Sequence, residues 1–217
     1  MRLLERRRVD RRLAATPHAL EHHVTVGWHL LENCAPPQAP FVRSRWLPYD
    51  SRVPAAAAID GFLNELRRAT EAFYGERLVS LAVFGSHASG RPRPRSDLDL
   101  LIVLTSAAPR RRLRLDEFDR LEADLTPALE ALERQGCSLE LSPVIRTREE
   151  AEGFSILYLD MTVDVRVLVD HDDFLRRRLD RMRTELQRLG AERRTLGNRW
   201  YWVLKKDYRP GEVFEIS

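Results

Sequence analysis

Two apolar segments separated by a proline-containing stretch constrain the fold of this chain most strongly. The segments Leu78–Phe84 and Leu98–Leu104 are almost entirely apolar. Runs of this length and composition are typical of buried β-strands. Residues 91–95 alternate arginine with proline, and proline cannot continue either strand. The chain is therefore expected to contain two buried strands with a loop between them.

Residues suited to phosphate and metal chemistry stand where the first strand ends and the second begins. Gly85 and Ser86 follow the first strand, and Asp97 and Asp99 open the second. Because successive strand residues point to opposite faces, the two aspartates are expected to share one face, where they can hold Mg²⁺. Glycine lets backbone approach a phosphate closely, and a serine hydroxyl can donate to its oxygens. Either pair alone is common by chance, but the ordered combination predicts a metal-dependent nucleotide site.

The motif resembles that of a known enzyme family. Val83–Gly90 followed by Ser96–Leu100 is similar to the signature of the polymerase-β-like nucleotidyltransferases, and among them to the small branch called minimal nucleotidyltransferases (MNT). The resemblance covers roughly residues 56–170 and continues weakly to the C-terminus. It implies an α/β (α+β) fold, a short mixed sheet backed by helices. It also implies transfer of a nucleoside monophosphate from an NTP, with ATP as the expected donor, two Mg²⁺ ions as cofactors and pyrophosphate as the leaving group.

The resemblance further implies a third carboxylate on the strand that follows. Glu140 is the candidate, since it alternates with the apolar residues Leu139 and Leu141. It would complete a catalytic and metal-binding set with Asp97 and Asp99, in which one metal activates an acceptor hydroxyl and a second binds the triphosphate. Two aspartates further along the chain are rivals for this role: Asp160 and Asp164.

Arginines between the Gly-Ser pair and the aspartates are candidates for the triphosphate or the acceptor. Arg91 and Arg95 are predicted to bind nucleotide together with Gly85 and Ser86, and ordinary exposure of the loop is the alternative. His87 directly follows Ser86 and could line the same pocket.

The chain as a whole is predicted to divide into three regions. Residues 1–54 are interpreted as an N-terminal extension, partly helical and of unknown role. Residues 55–170 form the nucleotidyltransferase domain, and residues 171–217 form a C-terminal helix and an aromatic-rich tail that packs on the domain or on a partner. Within the domain, the pattern predicts a helix from about 56 to 74 and a later, long amphipathic helix in which Pro127 is a candidate kink or restart point.

Two helix starts are predicted from capping residues. Thr147 and Glu150 form a capping box, so a helix is expected from there to about Met161. Asp172 is expected to cap the last helix, one face of which is rich in arginine.

Composition narrows the class of protein further. The chain has 217 residues, 43% of them hydrophobic, which supports one domain with appendages. Its net charge is only +3, and the two cysteines are too few for a disulfide framework. No apolar run approaches the length of a membrane span. A cytoplasmic protein with no membrane association is expected.

The acceptor is the open question. Because MNT proteins are often paired with HEPN-type toxins, the favoured hypothesis is an antitoxin that transfers AMP to a hydroxyl of its partner toxin. Transfer to tRNA by a toxin is an alternative, and a catalytically inactive, partner-binding antitoxin is another. Transfer to a cationic drug is disfavoured, because the C-terminal region here is arginine-rich instead of acidic.

Overall fold

The described part of the chain is a mixed sheet covered by helices on both faces, with a small second sheet. The computed structural model describes residues 25–26, 56–92, 96–196, 199–209 and 212–213. The helices are Ala56–Tyr74 (α1), Gly85–Ala88 (α2), Arg111–Arg134 (α3), Arg148–Glu152 (α4), Ile156–Met161 (α5) and Phe174–Leu189 (α6). The strands are Thr25–Val26 (β1), Leu78–Phe84 (β2), Leu98–Leu104 (β3), Leu141–Thr147 (β4), Arg166–Asp170 (β5), Glu192–Leu196 (β6) and Arg199–Val203 (β7).

The main sheet has four strands in the order β4-β3-β2-β5. The pair β3–β4 is parallel, whereas β2 pairs antiparallel with both β3 and β5. Such a sheet is mixed, and the predicted α/β fold class is confirmed.

Alternation along β3 explains why this strand is apolar throughout. Leu98, Leu100 and Ile102 face a core completed by α1 and α3. Leu101 and Val103 face a second core on the opposite side, completed by α5 and α6. A strand covered on both faces needs apolar residues at successive positions, which is the pattern the sequence shows.

The helix predicted from the capping box to Met161 is wrong in its extent. The capping box itself is present, since Glu150 N donates to Thr147 Oγ1 and Thr147 N donates to the Glu150 carboxylate. The helix α4 nevertheless ends at Glu152, because Gly153 and Ser155 are both extended, and α5 starts anew. The long helix α3, by contrast, continues through Pro127.

The predicted cap of α6 is also wrong. Asp172 has a φ of 54° and does not cap the helix. Asp170, at the end of β5, accepts instead from the backbone N–H groups of Leu175 (2.8 Å) and Arg176 (3.1 Å), and from the Ser80 hydroxyl of β2 (2.7 Å). One carboxylate thus ties the last helix to the sheet.

The C-terminal region contains a β-hairpin that the sequence pattern did not reveal. Strands β6 and β7 pair antiparallel, and β1 adds to the other edge of β7. Trp202 is buried in the second core, and its indole Nε1 donates to Asp160 of α5 at 2.9 Å. The Nε1 of Trp200 donates to the same carboxylate oxygen at 3.0 Å. Asp160 therefore attaches the hairpin to the domain.

Apart from β1, the extension predicted for residues 1–54 lies outside the described residues. Over the described ranges, no helix combines the length and apolar character needed to span a membrane.

Candidate active site

The pairing of β2 with β3 brings the Gly-Ser turn to the aspartates. Phe84, the last residue of β2, lies opposite Asp99 of β3. Gly85 and Ser86 follow at once and begin the short helix α2, in which Ser89 N donates to the Gly85 carbonyl at 3.1 Å. The hairpin thereby places Gly85, Ser86 and Asp99 at one corner of the sheet.

The contact between Gly85 and Asp99 is the tightest feature of this corner. Gly85 has a φ of 72°, a left-handed conformation that glycine adopts without steric cost. A Cβ atom placed on Gly85 would overlap Oδ2 of Asp99 and lie 3.1 Å from its Cγ. The turn therefore requires glycine for two independent reasons, its backbone conformation and the space that the carboxylate occupies.

Asp99 is held in an environment that disfavours its charge. Its side chain is half-buried, and Asp97 beside it is exposed. Burial, reinforced by the negative charge of Asp97, raises the pKa of Asp99 to about 6. Two carboxylates in mutual repulsion, one partly removed from water, form a donor set that fits a hard divalent cation, because the cation would offset both costs.

The turn is closed by its own hydrogen bonds. The Ser86 carbonyl accepts from Arg91 N at 3.0 Å and from Ser89 Oγ at 3.1 Å. Within the described residues, the Ser86 hydroxyl has no hydrogen-bond partner and can donate to a ligand. His87 Nε2 lies 3.1 Å from the carbonyl of Ser96, the residue before Asp97, and so joins the start of the loop to its end.

The structure describes only one of the two loop arginines that were predicted to bind nucleotide. Arg91 is exposed at the end of the turn, next to Gly90. Arg95 lies outside the described residues, so its predicted role at the triphosphate stays a prediction.

The backbone of Glu140, which was predicted as the third carboxylate, lies beside the strand that carries the aspartates. It immediately precedes β4, and its carbonyl accepts from Leu98 N at 2.8 Å. Its side chain is exposed, and its charge helps to raise the pKa of Glu122 in α3, after burial and Asp119. The charge that acts on Asp99 is that of Asp97. No group of three His, Cys, Asp or Glu side chains arranged to hold a metal is found in the described ranges, so the role of Glu140 as third ligand stays a prediction.

Both rivals of Glu140 have structural partners. Asp160 accepts from the two tryptophans of the hairpin. Asp164 forms an ion pair with Arg193 of β6 at 3.0 Å. These contacts tie each aspartate to the C-terminal hairpin.

The fold and this corner agree with what comparison with known proteins shows. Residues 63–140 match a family model described as a nucleotidyltransferase domain. This part of the chain matches a nucleotidyltransferase domain, and the match supports nucleotidyltransferase activity. The resemblance drawn from the Gly-Ser and Asp-x-Asp motif is thereby confirmed at the level of the family.

One curated relative extends the similarity beyond that segment. A protein of Methanocaldococcus jannaschii named "Putative protein adenylyltransferase MJ1305" is 26% identical over 133 residues, which are 60% of this chain and 85% of the relative. Two solved toxin-antitoxin structures are more distant. A mutant MntA-HpeT structure is 13% identical, covers 58% of this chain and 90% of its own, and has a TM-score of 0.38. A toxin-antitoxin structure with AMP-PNP is 15% identical, covers 61% and 89%, and has a TM-score of 0.34.

Sequence reasoning missed the bridge from His87 to Ser96. This contact closes the loop between the Gly-Ser turn and the aspartates, and the length of a loop does not by itself reveal a closing contact. The signal that pointed to His87 was only its position directly after Ser86.

Substituting Gly85 tests whether the turn positions Asp99. We expect Gly85→Ala to lower nucleotidyl transfer by about 10²-fold, because a displaced catalytic group commonly costs that much. The matched control is Gly90→Ala. Gly90 has a φ of 68°, and the position that a new methyl group would occupy has no other atom within 4 Å. The control therefore carries the same backbone strain without the overlap.

Both alanine variants are expected to lose about 1 kcal/mol of unfolding free energy through the left-handed backbone. Urea denaturation and initial transfer rates measured on the same preparations separate the two effects. Equal rates for the two variants would show that the overlap with Asp99 has no bearing on catalysis.

Proposed function

We propose that this protein transfers AMP from ATP, with Mg²⁺, to a hydroxyl group of a partner protein, and that the partner is a HEPN-type toxin which the modification neutralises. The observation that carries the proposal is the corner where Gly85 packs on the carboxylate of Asp99 beside Asp97. The relative named as a protein adenylyltransferase supports a protein as the acceptor.

Each side chain has a defined part in the proposed reaction. Asp97 and Asp99 would hold Mg²⁺, which when bound neutralises charge on the triphosphate and on the departing pyrophosphate. The Ser86 hydroxyl donates to a phosphate oxygen of the donor. Glu140, whose exposed side chain immediately precedes β4, would accept the proton of an acceptor hydroxyl that enters beside Asp97.

Charge balance explains why these parts belong together. The two aspartates alone would repel a nucleoside triphosphate, and Asp99 is already partly protonated near neutral pH because of its raised pKa. One bound Mg²⁺ neutralises the two carboxylates and keeps both ionised, and a second Mg²⁺ makes the corner positive. The site is therefore expected to bind NTP only together with the metal.

Intact-mass spectrometry tests the proposal directly. The product of the gene next to this one, as the candidate toxin, is incubated with the protein, Mg²⁺ and ATP. We expect a mass gain in units of AMP, and none with the Asp97→Asn/Asp99→Asn double variant, whose circular dichroism should match that of the parent. Fragmentation of the modified peptide then identifies whether the AMP is attached to tyrosine, serine or threonine.

The outcomes separate the competing hypotheses. Label from ATP in total tRNA, with no mass gain on the toxin, would replace the protein acceptor with tRNA. Tight toxin binding that survives in the double variant, with no NTP consumed by the parent, would identify an inactive binding protein.

A further inference from the structure

The arginines of this chain are not uniformly neutralised. Most described arginines form ion pairs within the chain, including Arg77 with Glu117 at 2.6 Å and Arg134 with Glu130 at 3.8 Å. Among those that have no carboxylate at ion-pairing distance within the described ranges, four gather where α3 begins and β4 ends. We call them the arginine surface: Arg110, Arg111, Arg112 and Arg146.

A groove gives the arginine surface a defined shape. It has a volume of about 360 Å³ and is lined by Arg111 and Arg146 together with the apolar side chains of Leu115, Pro143 and Ile145. The other charges in its wall, Arg114 and Glu150, neutralise each other. The groove therefore combines apolar walls with two arginines that form no ion pair within the described ranges, although the charge of Arg146 also acts on Glu150.

Local electrostatics make this placement costly for the free protein. Arg110, Arg111 and Arg112 are exposed at the N-terminal end of a long helix, which itself carries partial positive charge. The first turn of α3 contains no acidic residue, and no side chain caps it. The Nε of Arg146 is buried with no hydrogen-bond partner in the described structure. A negatively charged ligand would relieve all of these at once.

We propose that the arginine surface docks an acidic segment of the acceptor protein, away from the reacting groups. This inference rests on the proposed transfer to a protein. In the register of β3 with β4, Arg146 lies opposite Val103, so the surface is about 20 Å along the sheet from Asp97, taking the strand rise as ~3.3 Å per residue. A protein acceptor is large enough to contact both places.

The groove favours a peptide over a nucleic acid. Its lining contains no aromatic side chain among the described residues, whereas single-stranded nucleic acids are commonly bound by stacking their bases on aromatic rings. The apolar walls suit an aliphatic side chain flanked by carboxylates.

Binding of a defined peptide tests the docking surface without requiring catalysis. The probe is a fluorescein-labelled peptide that alternates glutamate with leucine, measured by fluorescence anisotropy. We expect the Arg111→Glu/Arg146→Glu variant to bind it at least about tenfold more weakly than the parent, because two attractive charges become repulsive. The matched control is Arg68→Glu/Arg134→Glu, which changes net charge equally on other parts of the surface and should bind like the parent.

Three results would overturn the proposal: no binding to the parent, equal binding to both double variants, or tighter binding of an RNA oligonucleotide of equal net charge to the same arginines. With the toxin as acceptor, Arg111→Glu/Arg146→Glu should raise KM about tenfold and leave kcat unchanged. Absence of transfer by the parent would contradict the proposed function alone, since the peptide measurement is independent of it.

Discussion

Replacing Asp99 by asparagine is expected to lower nucleotidyl transfer by at least about 10³-fold while making the folded protein more stable at neutral pH. The loss of activity follows from removal of one of two carboxylates proposed to hold the metal. The gain in stability follows from the cost of ionising Asp99, whose carboxylate is partly desolvated and faces Asp97. Asparagine has nearly the same shape and carries no charge.

The pH dependence of this gain has a defined sign. Because the folded-state pKa of Asp99, about 6, exceeds the value of 3.8 expected in the unfolded chain, its ionisation destabilises the folded state. The penalty is absent below pH 3.8, grows as pH rises and is complete above about pH 6. Allowing for solvent screening of a half-buried group, we expect Asp99→Asn to gain about 1 kcal/mol at pH 7.

Urea denaturation at pH 4 and at pH 7, without divalent cations, measures the difference in unfolding free energy between the parent and Asp99→Asn. This interval of ~3 pH units spans the titration of Asp99. The gain should shrink at the lower pH, and Mg²⁺ should stabilise the parent but not the variant. A variant that is less stable than the parent at neutral pH would contradict the environment assigned to Asp99.

Replacing Arg114 by alanine is expected to cost about 3 kcal/mol of unfolding free energy. Arg114 is only 8% exposed, and its guanidinium makes a bidentate pair with Glu150 at 2.6 and 2.8 Å. It also donates to the carbonyls of Ala108 (2.5 Å) and Ile145 (3.0 Å). One side chain thus joins the start of α3, the edge strand β4 and the helix α4, and its removal takes a donor away from the carbonyls of Ala108 and Ile145.

The matched control is Arg68→Ala. Arg68 pairs with Glu65 at 3.1 Å, but its side chain is 64% exposed, so the loss should be within about 0.5 kcal/mol. Urea denaturation of the two variants compares a buried with an exposed arginine. A cost for Arg114→Ala no larger than that of the control would show that the four hydrogen bonds of Arg114 do not stabilise the fold.

The same contact predicts the acid sensitivity of the protein. Its hydrogen bonds to Arg114 hold the pKa of Glu150 at about 2, well below the 4.5 of a free glutamate. A lowered folded-state pKa means that the stabilisation is fully present above pH 4.5 and is lost as pH falls toward 2. The difference in stability between the parent and Glu150→Gln should therefore narrow over this acidic range.

The sequence predicted the catalytic half of the fold because its signals are local. The apolar runs of β2 and β3, the break imposed by proline after Gly90, and the alternation that places Asp97 and Asp99 together all depend on neighbouring residues. The capping box of α4 is likewise complete within four residues. Each of these features is decided by backbone geometry over a few positions.

The errors occurred where residues distant in sequence compete with local signals. Asp172 is of a residue type that favours helix N-caps, but Asp170 accepts the hydrogen bond from the start of α6 instead. The hydroxyl of Ser80, on a neighbouring strand, helps to fix the carboxylate of Asp170. The helix expected to reach Met161 breaks at Gly153. The C-terminal tail forms a hairpin that is attached to α5, because the indole N–H groups of its two tryptophans donate to Asp160.

By itself, the sequence determined that this chain contains a nucleotidyltransferase domain, since the order of the glycine, serine and aspartates along two strands carries that information. Only the tertiary structure decided that Gly85 lies against Asp99 and that burial beside Asp97 raises the pKa of this carboxylate. It also decided that four arginines, which have no ion pair among the described residues, gather about 20 Å along the sheet from Asp97. The physical reason is that desolvation and close packing depend on which side chains are in contact across the sheet. The spacing of residues along the chain does not specify those contacts.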